Sequence, residues 1–386
     1  MLTYCTGIWT HHQAEVCKEL HKILGSEFKM VLTLPLDAPV SKERIAMGWD
    51  LTPPDEDWIV GPPKTVAEAR QVDYSKYIID PDVAVLGWIP EVPDCLVMRR
   101  IRSGKLTFFQ SERLFKQKPT LKDWVNPFYL KWRLSLWRKL HPKNVHFLTL
   151  SHWCAEDLES LGVCRGRTWK WGYLTKVSAE MPHKERHDKL EIGWCGRYLP
   201  LKHVDTIISA VSKLSQAAMA RCHLTLVGDG GCRDEIEQLV GRLGIDGVVS
   251  FKGRVSAAGA VEFMRGLDLY VFASNREDGW GAVLGEAMDA GCAIASSIDA
   301  GATLELVKDG VNGYVFECGD DKALAGIMEN MILNPDRCRE MGEEAWRTLQ
   351  EWSPEVGARS LVSLINALQS GDVSRIPEKG LCSRVR

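Results

Sequence analysis

The chain has 386 residues, 45% of them hydrophobic and 26% charged, with a formal net charge of −3 and a pI near 6.4. That length exceeds one ordinary core, so two soluble domains are expected, and no apolar run approaches the ~20 residues that cross a bilayer. A mild pI without a nucleic-acid motif excludes DNA or RNA as a partner, and twelve scattered cysteines without a C-x-x-C pair read as reduced thiols.

The start, Met1-Leu2-Thr3-Tyr4-Cys5, lacks the basic residues and long apolar core of a signal peptide, which points to a cytoplasmic protein. Leu2 to Cys5 reads as a strand and Val16, Leu20 and Leu24 as one face of a helix, with the loop Thr6 to Gln13 between them. That loop holds His11 and His12, placed at a strand's carboxyl end and so toward a ligand. Further strands are expected at Phe28–Leu34, Val83–Trp88, Leu106–Gln110 and Phe147–Leu150, a βα alternation that predicts a parallel sheet. Glu112 and Arg113 follow the strand at 106–110 and read as acceptor-binding residues, or else as an internal salt bridge.

Residues 1–178 hold 25 Lys/Arg and 20 Asp/Glu, and the excess falls in 99–143, where thirteen basic residues face only Glu112 and Asp123. Asn126-Pro127 opens a helix over 127–141. Phe128, Tyr129, Leu130, Trp132, Leu134, Leu136, Trp137 and Leu140 cover a wide arc of it, and Lys131, Ser135, Arg138 and Lys139 form a narrow polar stripe. Tryptophans beside cations suit a membrane interface with anionic headgroups, at the inner face of the cell membrane. The competing reading buries the helix against the first sheet.

Residues 1–177 form the first expected domain, and the polar, proline-bearing stretch 178–190 the linker. The pattern restarts over 191–352: strands at 191–195, 223–227, 248–252, 269–273, 292–296 and 314–316, with helices between them and at 321–332 and 335–351. A last helix in 353–369 returns to the first domain, and the tail 370–386, poor in apolar residues, is expected to be disordered.

The stretch Glu277-Asp278-Gly279-Trp280-Gly281-Ala282-Val283-Leu284-Gly285-Glu286 carries the most chemistry. It runs from a strand into a helix, where Gly279 and Gly281 let backbone N–H groups approach an anion and acids accept hydrogen bonds from sugar hydroxyls. By its spacing to Glu286 the first acid is Asp278, with Glu277 one residue before it. The stretch resembles the two-acid motif of retaining nucleotide-sugar glycosyltransferases, glycosyl transferases group 1. Four further segments are similar to that family, in its order: Gly196-Arg197-Tyr198-Leu199-Pro200-Leu201-Lys202, Val227-Gly228-Asp229-Gly230, Phe251-Lys252-Gly253-Arg254-Val255 and Asp309-Gly310-Val311-Asn312-Gly313. Thr10-His11-His12-Gln13, Ser111-Glu112-Arg113-Leu114-Phe115 and Lys170-Trp171-Gly172-Tyr173 resemble a bacterial subgroup linked to surface polysaccharides.

The resemblance implies an α/β GT-B fold, two Rossmann-like doubly wound domains facing an interdomain cleft. It implies transfer of a sugar, with retention, from a nucleotide-diphosphate donor to a saccharide or lipid-linked acceptor, with no metal cofactor. Arg197 and Lys202 would offset charge on the departing diphosphate. Glu286 would hold the ribose hydroxyls and Asp278 or Glu277 the transferred sugar. Gly196, Gly228, Asp229, Gly253, Arg254, Gly279, Trp280 and Gly281 would line the donor site, with Trp280 either stacking on a sugar face or packing. His11 or His12 would contact the diphosphate or the acceptor hydroxyl, and His12 is the candidate base. A nucleotide-sugar epimerase or hydrolase of the same fold, and a catalytically silent subunit of a polysaccharide assembly complex, are the rival readings. Dinucleotide oxidoreductases and P-loop NTPases are excluded, because neither G-x-G-x-x-G after a first strand nor G-x-x-x-x-G-K-[ST] occurs.

Overall fold

The computed structural model describes residues 1–46, 48–115, 120–185 and 187–385. It divides into two compact units, Met1–Lys176 with Trp352–Arg386, and Val177–Glu351.

The first unit is built on seven parallel strands: β1 Leu2–Thr6, β2 Phe28–Leu32, β3 Ile59–Val60, β4 Val83–Leu86, β5 Leu106–Ser111, β6 Val145–Thr149 and β7 Thr168–Lys170. Their order is β3-β2-β1-β4-β5-β6-β7, so the winding reverses between β1 and β4. All five residues of β1 are buried, as a strand covered on both faces requires. Helix His11–Leu24 covers one face through Ala14, Val16, Cys17 and Leu20, and helix Pro354–Ser370 packs against it. A side chain at Gly357 would come within 2.1 Å of Leu174 Cδ1 and 3.5 Å of Val16 Cγ2, so Leu174 would have to move to admit one.

The second unit has six parallel strands: β8 Leu190–Arg197, β9 Cys222–Asp229, β10 Val249–Lys252, β11 Leu269–Phe272, β12 Ala293–Ser297 and β13 Gly313–Phe316. Their order, β10-β9-β8-β11-β12-β13, is that of the Rossmann fold, with its switch point between β8 and β11. Buried Ile192, Trp194, Leu224, Leu226, Ile207, Ile208, Leu324 and Met328 belong to its core.

Two expectations change. The stretch 178–190 is not free chain: Asp289 accepts hydrogen bonds from Ser178 N and Oγ at 2.7 and 2.8 Å, and Lys184 Nζ donates to the carbonyls of Arg265 and Leu267. Arg186 lies outside the described residues. The tail is not disordered either. Leu381, Cys382 and Ser383 are buried, and Lys170 N donates to Ser383 O at 2.9 Å while Cys382 N donates to Lys170 O at 2.8 Å. The tail thus covers the open edge of β7, an edge that would otherwise pair with another chain; Arg386 lies outside the described residues.

Helix Pro127–Leu140 carries two readings from sequence, interfacial and buried. Asn126 caps it, accepting from Phe128 N at 2.9 Å, and Pro127 fills the first position. Only Leu140 is buried, with Tyr129 and Leu136 packed beside it, so this helix is not a core element. Leu130, Leu134 and Trp137, at i, i+4 and i+7, point outward at 45, 48 and 44% exposure, and Phe128 reaches 84%. Lys116 and Lys118 of the basic stretch lie outside the described residues.

Candidate functional site

The carboxyl ends of β8 and β11 flank the switch point of the second sheet, where α/β folds place their ligands. β8 ends in Gly196 and Arg197, and a single turn, Pro200–Lys202, leads to helix Val204–Val211. His203 joins the two in the left-handed region, φ 48° and ψ 43°, a conformation that costs a side-chain-bearing residue. Its Nε2 lies 3.4 Å from Asn275 Nδ2 on the facing loop.

That facing loop follows β11 and is fixed by its own hydrogen bonds. Asn275 N donates to Leu201 O at 2.9 Å, tying the two loops together. Asn275 Oδ1 then accepts from Glu277 N at 2.9 Å, and its carbonyl accepts from Asp278 N at 3.1 Å. This turn delivers Asp278 to Lys202, whose Nζ donates to Asp278 Oδ2 in an ion pair with side-chain exposures of 14 and 17%. Of the two adjacent acids, Asp278 is the one joined to the cation. Lys202 also lies over the Phe272 ring, 5.7 Å from its centre. Gly281 has φ +82°, and a side chain there would strike Phe272 at 2.2 Å, so only glycine carries the chain past that ring.

Glu286 stands in the first turn of helix Val283–Asp289, half-buried. It and Lys202 act electrostatically on Cys195 of β8, whose thiol burial pushes up to about 11. Lys202, Asp278 and Glu286 therefore converge on the last residues of β8. Arg197 is exposed at the end of the same strand, and Gly279 and Glu277 are half-buried in the loop.

Several expected donor residues do other work. Trp280 is 1% exposed and its carbonyl accepts from Ala302 N at 3.0 Å; it packs beneath the loop and offers no face for stacking. A side chain on Gly228 would meet Gly196 O at 1.8 Å, so glycine there lets the ends of β8 and β9 pair closely. Asp229 holds its own turn, accepting from Gly230 N at 2.9 Å, while Gly253 O accepts from Gly228 N at 3.3 Å. Arg254 is exposed. Asn312 is buried and bonds Lys308 N, Leu306 O and Thr348 Oγ1, so its segment is a structural turn.

In the first unit, His11 and His12 begin helix His11–Leu24, beyond the carboxyl end of β1. The His12 ring stacks on Tyr173 at 5.0 Å and meets Trp49 edge-on at 5.9 Å, with the His11 ring 3.8 Å away. Tyr173 in turn donates to Glu112 Oε1 at 2.6 Å. Burial, His11 and Arg44 lower the His12 pKa to about 3. The ring is therefore neutral at neutral pH. Of the two readings of Arg113, the structure shows the internal salt bridge. Arg113 pairs with Asp157 at 3.1 Å with both side chains about 95% buried (exposures 4 and 5%), and Asp157 also accepts from Leu114 N and Phe115 N. That is an internal support for the loop after β5, and no surface for an acceptor.

The sequence reading missed Asn275, His203, Tyr270, Trp49 and the pairing of Tyr173 with Glu112. Asn275, two residues before the first acid, carried the signal of an Asx-turn. The others meet through tertiary contacts alone.

Comparison with known proteins converges on the same units. Residues 179–348 match the family model of glycosyl transferases group 1. The lipopolysaccharide core biosynthesis glycosyltransferase LpsE of Rhizobium meliloti is 29% identical over 154 residues, 40% of this chain and 43% of LpsE. The chain thus spans less than half the length of such curated relatives. Among solved structures, HepE of Anabaena in complex with UDP and glucose superposes with a TM-score of 0.64 at 16% identity, covering 96% of this chain and 99% of HepE. The lipopolysaccharide outer core galactosyltransferase WaaB superposes with a TM-score of 0.67 at 15% identity, over 96% of this chain and 99% of WaaB. Residues 179–348 are thus similar to glycosyl transferases group 1, and the architecture of two Rossmann-like units is the GT-B fold seen in HepE and WaaB.

Proposed function

We propose that the protein transfers a sugar, with retention of anomeric configuration, from a nucleotide-diphosphate sugar to a saccharide or lipid-linked saccharide in bacterial surface polysaccharide synthesis. The observation that carries this reading is the convergence of Lys202, Asp278 and Glu286 on the end of β8 at the switch point. Breaking a sugar–phosphate bond builds a further negative charge on the departing diphosphate, and Lys202 with Arg197 would offset it in the transition state. Asp278 pairs with Lys202; a bound diphosphate would take its place and release the carboxylate to the sugar hydroxyls. Glu286 binds the ribose hydroxyls. The glycines at 279 and 281 keep the loop backbone accessible. For an acceptor, the first unit offers His11, His12, Trp49 and Tyr173, whose rings suit a sugar face. No metal is assigned, since the two cations do its electrostatic work. HepE was solved with UDP and glucose, so UDP-sugars are the first donors to test.

The test is a thermal-shift screen against nucleoside diphosphates and their sugar conjugates. A ligand at 100 times its Kd stabilises by roughly 2.7 kcal/mol. A shift with one base, lost in Arg197→Ala and Lys202→Ala, supports the reading; no shift with any nucleotide refutes it and favours a silent subunit.

The outward face of helix Pro127–Leu140 supports a second reading, that the enzyme works at an anionic membrane surface. Leu130, Leu134 and Trp137 form an exposed apolar stripe beside Lys131 and Arg138, and the helix carries no acid. Such a face partitions into the headgroup region and attracts anionic lipid. Among the described residues, no helix is long and apolar enough to cross a membrane. Trp137→Ser with Leu134→Ser should lower co-sedimentation with phosphatidylglycerol vesicles; unchanged sedimentation would remove this reading.

A further inference from the structure

Strands β8 and β11 share a short ladder. Leu269 pairs with Ile192 and Tyr270 with Gly193, whereas β8 stays paired with β9 as far as Arg197. In a parallel sheet, alternate residues of a strand turn their N–H and C=O toward opposite neighbours. Asp268 N donates to Glu191 O at 2.8 Å, so 191, 193 and 195 face β11. The pairing ends at Gly193, and at Cys195 a side chain takes over. Tyr270 Oη accepts from Cys195 N at 3.3 Å and donates to Cys195 O at 3.0 Å, and the tyrosine is fully buried.

One phenol therefore satisfies both backbone groups that a further β11 rung would have held. Past it, the next residue of the same orientation is Arg197. On the other side, β11 runs into the loop of Asn275 and Asp278. Burial, and the neighbouring Cys195, Glu286 and Asp278, hold the phenol un-ionised, so it keeps both a donor and an acceptor.

We propose that Tyr270 is a positioning residue for the donor site: its hydroxyl ends the β8–β11 ladder at the switch point and holds the strand end bearing Arg197 in register with the loop bearing Asp278. The proposal rests on the nucleotide-sugar reading above. Tyr270→Phe keeps the ring and strands the Cys195 N–H and C=O, so the strand end can relax toward other partners. UDP, or whichever nucleoside diphosphate the wild type binds, should then bind about fivefold or more weakly, since one buried polar group left unpaired is enough for such a change. Met328→Ala, a core truncation on helix Asp321–Leu333, serves as the control: it should lower Tm and leave nucleotide Kd unchanged. Tyr270→Phe binding within about twofold of wild type despite a lowered Tm would make the hydroxyl merely structural and overturn the proposal. A wild type that binds no nucleotide sinks the donor reading and this proposal together, a result distinct from a loss confined to the variant. Should Tyr270→Phe fail to fold, amide exchange in the wild type decides. Cys195 should exchange slowly with or without nucleotide, and Arg197 should slow only when nucleotide is bound. Free exchange at Cys195, or no nucleotide effect at Arg197, overturns the proposal.

Discussion

Replacing Arg113 with alanine should cost the first unit stability and leave acceptor use intact. Two unit charges 3.1 Å apart attract by roughly 5 kcal/mol at an effective dielectric of ~20. Desolvation of two nearly buried groups offsets part of that attraction, yet removing one partner strands the other, a change that costs about 3–5 kcal/mol in buried pairs. Asp157 would keep the amides of Leu114 and Phe115, which places the expected loss at the lower end, ~3 kcal/mol. For a domain of this size each kcal/mol moves Tm by about 2–4 °C, so calorimetry should show the first unit's transition falling by roughly 6–12 °C. Asp157→Asn, which keeps an acceptor for the amides and removes the charge, should fall less. Kinetics per folded enzyme, measured well below the lowered Tm, should show an unchanged acceptor KM. An Arg113→Ala protein with wild-type Tm and a raised acceptor KM would refute the reasoning and return Arg113 to the acceptor site.

Glu286→Ala should raise the donor KM and lower kcat, because the ribose contact binds the donor and also holds the diphosphate in place for the transition state, where its loss costs more; unchanged kinetics would sink the ribose assignment. Activity in excess EDTA should equal that in its absence, and a loss restored by one divalent cation would show that Arg197 and Lys202 do not suffice. For His12, the folded pKa of about 3 lies below the ordinary 6.5, so the unfolded chain binds the extra proton first. Its contribution is present in full above about pH 6.5 and fades as pH falls toward 3, so His12→Phe should flatten the decline of Tm between pH 7 and 4. A decline as steep as in wild type would show that His12 titrates normally. Ending the chain at Gly380 removes buried Leu381 and Cys382 and bares the β7 edge. Loss of the leucine alone is worth about 1.5–3 kcal/mol, and the shortened protein should also self-associate in light scattering.

The sequence by itself determined the architecture, because doubly wound sheets repeat a legible unit. Buried parallel strands read as apolar runs and are separated by amphipathic helices, and the glycine turns and two-acid stretch sit where strand gives way to helix. Short β3 and β7 escaped, since two or three residues carry no periodicity. Tertiary structure alone decided what each motif residue touches. Trp280 and Arg113 looked available because a sequence cannot say which side of a loop faces the core; one is packed and the other paired with Asp157, forty-four positions away. Helix Pro127–Leu140 looked equally fit for core or surface, and only the packing of Leu140, Tyr129 and Leu136 left Leu134 and Trp137 outside. Tyr270 read as one more apolar strand residue until the strand beside it ended its pairing and left a backbone amide and carbonyl for its hydroxyl to hold. Local composition encodes which elements form, whereas burial, ion pairing and ladder ends depend on residues brought together from distant parts of the chain.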